Sequence, residues 1–395
     1  MSSTTPSASS RNSPAPSEPR APFAGARRIV VKLGSALVAA PDGAPAADLL
    51  AAVATDVAAL ARRGIETAIV SSGAVALGRA ALGEVSTLEQ KQAAAAIGQA
   101  RLMAAWGAAF APQARAVGQV LLTLADTEDR RRYLNARAAL DALLAAGAIP
   151  IINENDTVAT DEIRYGDNDR LAAHAAQIAS ADVLALLTDV DGYYSADPRT
   201  DQDARLATSI AAVTDEMVAS AGGANAVRGV GSGGMRSKLE AARIAARAGA
   251  RTLIARGVDE HPLLRLENGA PFTEVAAVGS PASAREKWLA GRLRPRGVVR
   301  IDAGAAAALK DGASVLAAGV VAVEGAFERG DAVRIEDAFG APLAVGVAAY
   351  GAADAQAIKG LRSEAIEGVL GYRRRPALVH RNDLALLDRP DRTTD

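Results

Sequence analysis

Between residues 27 and 279, short β-branched runs alternate with longer stretches in which apolar side chains recur every three or four positions. That alternation is the pattern of βαβ units, in which helices cross over a mostly parallel sheet. Runs at 29–31, 67–70, 117–122, 148–152, 183–187 and 252–255 are predicted as strands. Among the helical stretches, Leu49, Leu50, Val53, Val57 and Leu60 share one face, and Gly64 supplies a stop. In sheets of this kind ligands bind beyond the carboxyl ends of the strands. The residues that follow each run are therefore the place to look for chemistry.

The pattern changes at Ala290-Gly-Arg-Leu-Arg-Pro-Arg-Gly297, a basic run carrying Pro and Gly. Beyond it, 298–301, 320–323, 332–335 and 343–348 read as short strands, separated by turn signals at Gly312, Gly330 and Gly340-Ala-Pro342. They predict a small, compact β-rich unit. The chain then divides into a disordered tail (1–26), a large α/β domain (27–279), a linker (280–296), a small β-rich domain (297–382) and a polar tail (383–395). The first 22 residues are dominated by Ser, Thr, Pro, Ala and Arg with no apolar run, unlike a signal peptide.

Composition narrows the picture. A length of 395 residues suits one large domain and one small one. Half the residues are hydrophobic but only 3% are aromatic, so the core is built from Ala, Val, Leu and Ile. A net charge of −1 removes the long-range field of a protein that grips nucleic acid through its phosphates. With no cysteine there is no disulfide, thiolate metal site or Cys nucleophile, which fits a reducing compartment. A cytoplasmic, membrane-free protein is expected, because no apolar run approaches the roughly 20 residues of a membrane span. Of 44 basic residues only six are lysine, so each lysine is a candidate for a specific role.

The first predicted strand runs straight into Lys32-Leu-Gly34-Ser35. A lysine leaving a strand end beside a glycine suits a phosphoryl group, and it equally suits a solvated strand terminus. Gly229-Val-Gly-Ser-Gly-Gly234 fits G-x-G-x-x-G formally, but loop-like sequence precedes it where a dinucleotide fingerprint needs a strand. A glycine loop that opens a helix, with Lys238 in its first turns, suits a phosphate chain better; a plain surface loop is the alternative. The P-loop is missing, since Gly73 to Gly78 has its spacing but continues with Arg79-Ala80. Asn153-Glu-Asn-Asp156 and Gly166-Asp-Asn-Asp-Arg170 bracket one loop at the exit of one buried strand. Each alone reads as turn and cap residues, whereas the pair points to a site that binds an amino group and positions lysines. Ser71-Ser72-Gly73 offers hydroxyl and amide donors for a carboxylate, and Thr188-Asp189 is either a turn or a nucleotide contact. His174, His261 and His380 show no metal-ligand spacing. That suits phosphoryl transfer to a carboxylate, an anionic nucleophile that needs no base.

Taken in order, Val30-Val-Lys-Leu-Gly-Ser35, Ser71-Ser-Gly-Ala-Val-Ala-Leu-Gly78, Ile152-Asn-Glu-Asn-Asp156, Gly166-Asp-Asn-Asp169, Leu187-Thr-Asp189 and Gly231-Ser-Gly-Gly-Met-Arg-Ser-Lys238 resemble the amino acid kinase family. The segment 297–380 resembles a PUA domain. The resemblance implies a three-layer α/β/α sandwich and ATP-dependent phosphorylation of the γ-carboxylate of L-glutamate, the first step toward proline. It implies that Lys32 and Lys238 contact the transferring phosphoryl group and that Asp169 holds both ammonium groups. ATP would lie against Lys32, Gly34, Ser35, Thr188, Asp189 and the run Ser232, Gly233, Gly234, Met235, Arg236, Ser237 and Lys238. Glutamate would lie against Ser72, Gly73, Asp156 and Asn168. Mg²⁺, a homo-oligomer, inhibition by proline and handover of the acyl phosphate to a γ-glutamyl phosphate reductase come with the resemblance. One departure is Ser35-Ala36, where the family pattern has a hydroxyl pair.

Rival readings are a relative acting on aspartate, N-acetylglutamate, carbamate or a nucleotide, and an RNA-binding protein working through its C-terminal domain. Near-zero net charge and sparse aromatics give RNA neither a broad phosphate footprint nor a stacking platform. A dehydrogenase built on the glycines at 229–234 is a third.

Overall fold

The computed structural model describes residues 21–83, 85–158, 167–198, 200–221, 234–284, 294–372 and 376–387. The tail up to residue 20, the loop glycines up to Gly233, most of the linker and residues 388–395 lie outside the described residues. The larger sheet is built from β1 (Arg28–Leu33), β2 (Glu66–Ser71), β3 (Val117–Leu122), β4 (Ile149–Glu154), β5 (Val183–Thr188), β6 (Ser209–Ile210), β7 (Arg251–Arg256) and β8 (Phe272–Val275). Its strand order is β3-β4-β2-β1-β5-β7-β8-β6. The first six in that order run parallel, and β8 reverses direction against β7. Each predicted run of the α/β region is a strand, whereas the two-residue β6 and the edge strand β8 carry too little pattern to be foreseen.

Helices pack on both faces, so the central strands are apolar throughout rather than alternating. The two faces of β1 separate cleanly by residue parity. Ile29, Val31 and Leu33 point into one core with Leu50, Val53, Val57 and Leu60 of α2 (Ala47–Arg62) and Leu102, Trp106 and Phe110 of α4 (Leu88–Phe110). Val30 points into the other, with Leu140 of α6 (Arg130–Ala145), Leu171 and Ile178 of α7 (Asp167–Ala179) and Leu239 and Ala242 of α9 (Met235–Arg247). Each fully buried Val, Leu or Ile contributes roughly 1.5–3 kcal/mol, so these two layers supply most of the drive to fold.

The chain moves outward from β1 through β2 to β3 and β4, then returns to place β5 on the other side of β1. That reversal opens a crevice at the carboxyl ends of β1 and β5. Its walls are fixed by a close helix crossing. A Cβ on Gly78, in α3 (Ala74–Arg79), would collide with the carbonyl oxygen of Ala94, and one on Gly98 with that of Ala74.

The C-terminal part has its own core around Val299, Ile301, Leu309, Val333, Ile335, Tyr350 and Leu378. Its five-stranded sheet has the order β11-β9-β12-β13-β15, from β9 (Gly297–Ile301), β11 (Val320–Gly325), β12 (Ala332–Glu336), β13 (Pro342–Val347) and β15 (Leu384–Leu386). The short pair β10 (Val315–Leu316) and β14 (Ala377–Val379) completes it. Helices at Ala303–Lys310 and Ala352–Ile358, both rich in alanine, lie between the strands and go beyond the β-rich pattern expected there. The two parts meet along α6. Leu134 packs against Val347 and Ala385, and Arg329 Nη2 donates to Asn135 Oδ1 at 2.8 Å.

Candidate active site

Lys32 sits one residue from the end of β1, with its backbone in register with Val70 of β2 and Leu186 of β5. Lys32 has the parity of Val30, so its side chain stands off the sheet on the face covered by α7 and α9. Lys238 reaches the same place from the first turns of α9, whose N-cap is Gly234. Between them stands Asp169, fully buried near the start of α7. Lys32 Nζ lies 2.6 Å from Asp169 Oδ1, and Lys238 Nζ lies 3.3 Å from Oδ2. Ser237 Oγ donates to the same Oδ2 at 2.6 Å. Three segments far apart in the sequence thus converge on one carboxylate.

Their electrostatics follow from burial. Desolvation pushes the Asp169 carboxyl upward, but Lys32, Lys238 and the Ser237 hydroxyl outweigh it and hold the group below the usual carboxylate range. Lys238 is held below the usual lysine range, by burial first and by Lys32 as a like charge, against the pull of Asp169. Two ammonium groups sharing one carboxylate give the cluster a net positive charge in a dry place. Such a charge is costly unless an anion arrives to meet it. Gly34, directly beyond β1, would carry a Cβ 3.7 Å from Lys32 Nζ, so the missing side chain leaves that ammonium open to approach. Ser35 begins the four-residue helix that follows.

A second polar group lies at the ends of β2 and β4. Ser72 follows β2, and Gly73 turns the chain with φ of 108°, a left-handed conformation that favours glycine. Asn168 Nδ2 donates to Ser72 Oγ at 2.8 Å and, more weakly, to Asn153 Oδ1 at 3.4 Å. Asn153 Nδ2 in turn donates to Gln99 Oε1 at 2.9 Å. Asn168 Oδ1 is buried and has no hydrogen-bond partner among the described residues. Nearby in the chain, burial pushes the Asp156 carboxyl up to about 6.

Thr188 closes β5, and its hydroxyl donates to Asp189 Oδ1 at 3.0 Å while Arg256 Nη1 donates to the Asp189 carbonyl at 2.8 Å. Met235 is half-buried at the start of α9. Arg236 faces the other way, pairing with Glu240 at 3.2 Å on the exposed side of the helix. Ser232 and Gly233 lie outside the described residues. Lys32, Lys238, Asp169, Ser237, Ser72 and Asn168 are therefore brought to one crevice, and Arg236 is turned from it. Asn153, from the acidic-amide cluster singled out in the sequence, is brought to the site, and Gln99 joins it beyond the residues that the sequence assigns. Gln99 is one of three glutamines on α4, set apart in the sequence only by following the glycine of a close crossing.

Residues 27–256 match the model of the amino acid kinase family, and residues 297–370 match that of the PUA domain. The chain is 52% identical over 368 residues to a protein named glutamate 5-kinase from Caulobacter vibrioides, covering 92% of this chain and 97% of that one. It is 51% identical over 368 residues to the glutamate 5-kinase of Paramagnetospirillum magneticum, covering 92% and 99%. It is 50% identical over 363 residues to that of Sinorhizobium fredii, covering 91% and 92%.

Proposed function

The chain belongs to the amino acid kinase family, and from that premise we propose that it transfers the γ-phosphoryl group of ATP to the side-chain carboxylate of L-glutamate. A carboxylate oxygen attacks the γ-phosphorus, the bond to the β,γ-bridging oxygen breaks, and γ-glutamyl phosphate and ADP leave. No proton moves, because nucleophile and leaving group are both anions. Residues 27–279 form the catalytic domain in this reading and residues 297–382 the appended one.

The observation that carries the reading is the convergence of Lys32 and Lys238 on Asp169. Two anions must be pressed together, and this cluster offers positive charge that no bulk water has to rearrange to supply. Asp169 acts by holding both ammonium groups at fixed positions. Gly34, Ser35, Thr188, Asp189, Gly234, Met235, Ser237 and Lys238 are assigned to the nucleotide side; Arg236, on the exposed side of its helix, is not. Ser72, Gly73, Asp156 and Asn168 line the glutamate side, where an ionised Asp156 meets the α-ammonium group.

Among the described residues no cluster of three or more His, Cys, Asp or Glu side chains is built to hold a metal ion, and Asp169 is already committed to two lysines. We therefore assign Mg²⁺ to the triphosphate, bound through phosphate oxygens and water as part of the nucleotide substrate. Proline shares the α-carboxylate and ammonium of glutamate, which supports its role as an inhibitor at or near this site. An acyl phosphate is labile in water, which supports handover to a γ-glutamyl phosphate reductase. A homo-oligomer in the cytoplasm completes the proposal. No helix among the described residues is long and apolar enough to cross a membrane. Arg300 and Arg334 of the C-terminal domain are paired with Glu324 and Glu336.

The test is an acceptor panel with hydroxylamine present to trap the acyl phosphate, read as hydroxamate and ADP. Hydroxamate from glutamate in preference to aspartate and N-acetylglutamate is expected. Hydroxamate from aspartate and none from glutamate would end the substrate assignment.

A further inference from the structure

Strands β1, β5 and β7 end side by side, with Leu33 in register with Leu187 and Leu187 with Ala255. The regular pairing of β5 with β7 stops at Thr188 and Arg256, just where the backbone N–H of Gly257 donates to the Thr188 carbonyl at 2.7 Å. The Asp189 carbonyl lies one step beyond that ladder, and the Arg256 side chain serves it, with Nη1 donating at 2.8 Å. This bond has one direction only, because a guanidinium donates and a backbone carbonyl accepts. Asp259, three residues on, holds the same guanidinium at Nε, 3.2 Å away.

Gly257 fills the same corner by having no side chain. A Cβ on it would stand 2.6 Å from Leu187 Cβ and 3.1 Å from Leu37 Cδ1. Leu187 is the last residue but one of β5, and Leu37 belongs to the four-residue helix Ser35–Val38 that begins right after Gly34. Gly257 does not adopt the left-handed φ that favours glycine, so what it supplies is room. Leu187 Cβ is bonded to its own backbone and cannot swing aside, so an added methyl has to move β5, the small helix or both. Thr188 is half-buried and Asp189 exposed, which leaves the corner open to a ligand. The Asp189 carboxylate is also close enough to Lys238 to oppose, by its charge, the lowering that burial imposes on that ammonium group.

Resting on the nucleotide side assigned above, we propose that Arg256 and Gly257 are positioning residues for the nucleotide. Arg256 fixes the backbone at Asp189, and Gly257 sets how closely the end of β5 and the helix Ser35–Val38 approach each other. Neither needs to touch the nucleotide to do this.

The test is steady-state ADP release by the full chain, with MgATP and the preferred acceptor of the panel varied in turn. Arg256→Met keeps the aliphatic stem and removes the donors; because this guanidinium is partly exposed, the KM for ATP should rise only about fivefold. Gly257→Ala should raise it about tenfold, by displacing both segments at once. The KM for the acceptor should stay within about twofold in both variants. Melting curves accompany the kinetics, and Arg256→Met should melt close to wild type. An unchanged KM for ATP in either variant, or a parallel rise in both KM values, overturns the proposal. Hydrogen exchange of the wild-type chain with and without MgADP tests the premise separately, and slower exchange across 188–190 is expected. No slowing there overturns the nucleotide assignment itself, and the role of Arg256 and Gly257 with it.

Discussion

Strand β1 carries at each end a carboxylate shared by two cations, and the two ends are built from different chemistry. At the start of the strand, Arg28 donates from Nη1 to Asp141 Oδ1 at 2.8 Å, from Nε to Glu66 at 2.7 Å and from Nη1 to the Ala179 carbonyl at 2.5 Å. Asp141 is also within 3.8 Å of Arg137, which reaches Asp383 of the C-terminal domain at 3.9 Å. Side-chain exposure there is 19% for Arg28 and 30% for Asp141. At the end of the strand, Lys32 and Lys238 share an Asp169 side chain that is 0% exposed. A guanidinium fork with its donors spent on several acceptors is a rivet, whereas an ammonium point charge can exchange one oxygen for another without losing its geometry. In a chain that uses lysine for only six of its 44 basic residues, two lysines meet at the buried end of β1 and arginines at its more exposed start.

Breaking the upper cluster should give the largest effect. Lys238→Ala or Lys32→Ala is expected to lower kcat by roughly two orders of magnitude or more, by analogy with the loss of an electrostatic donor. Melting should change little, because removing one ammonium leaves Asp169 in a neutral pair and relieves a net buried charge. Steady-state kinetics with a thermal melt on the same sample check both halves.

Breaking the lower network should invert that result. Arg28→Ala strips charged hydrogen bonds from Glu66, Asp141 and Ala179 and should cost about 2–3 kcal/mol of stability in denaturant unfolding. Turnover below the transition should stay within about threefold of wild type. A loss of kcat comparable to that of Lys238→Ala would erase the distinction between the ends.

The smallest effect sharpens the comparison through pH. Asp156, raised to about 6 by burial, is ionised above that value and meets an ammonium only in that state. The KM for glutamate should therefore climb as pH falls below 6, by up to about tenfold per unit. Asp156→Asn should flatten the profile, and Arg28→Ala should leave it in place. The stability linkage has the opposite sense. A folded pKa above the ordinary 3.8 means that this group favours the folded chain below pH 3.8, an advantage lost as pH rises through 6.

What is legible in the sequence follows the same division. The central parallel strands declare themselves because burial on both faces leaves little room for polar residues, as in RIVVKL and VLALLT. Strand β8, FTEV, is buried at alternate positions only, and the alanine-rich helix Ala303–Lys310 has no strong apolar stripe. Lys32 and Lys238 stand out because lysine is scarce and each lies near glycine at the border of an element. In sequence Asn153 is one member of a turn cluster and Gln99 one more helix residue, since their pairing exists only once α4 has packed over the end of β4. His261 is similar. It shows no ligand spacing, and folding sets its Nδ1 2.8 Å from Asp56, whose carboxylate also accepts from the backbone N–H groups of Leu263 and Leu264. The residues are visible, but the contacts belong to the tertiary fold.

The most direct test is a crystal structure of the full chain with Mg²⁺, a non-hydrolysable ATP analogue and glutamate. The account predicts both Lys32 Nζ and Lys238 Nζ within about 3 Å of oxygens on the terminal phosphate, with Asp169 still bridging them from behind. A terminal phosphate seated elsewhere in the crevice, with either ammonium group engaged only by Asp169, would contradict it.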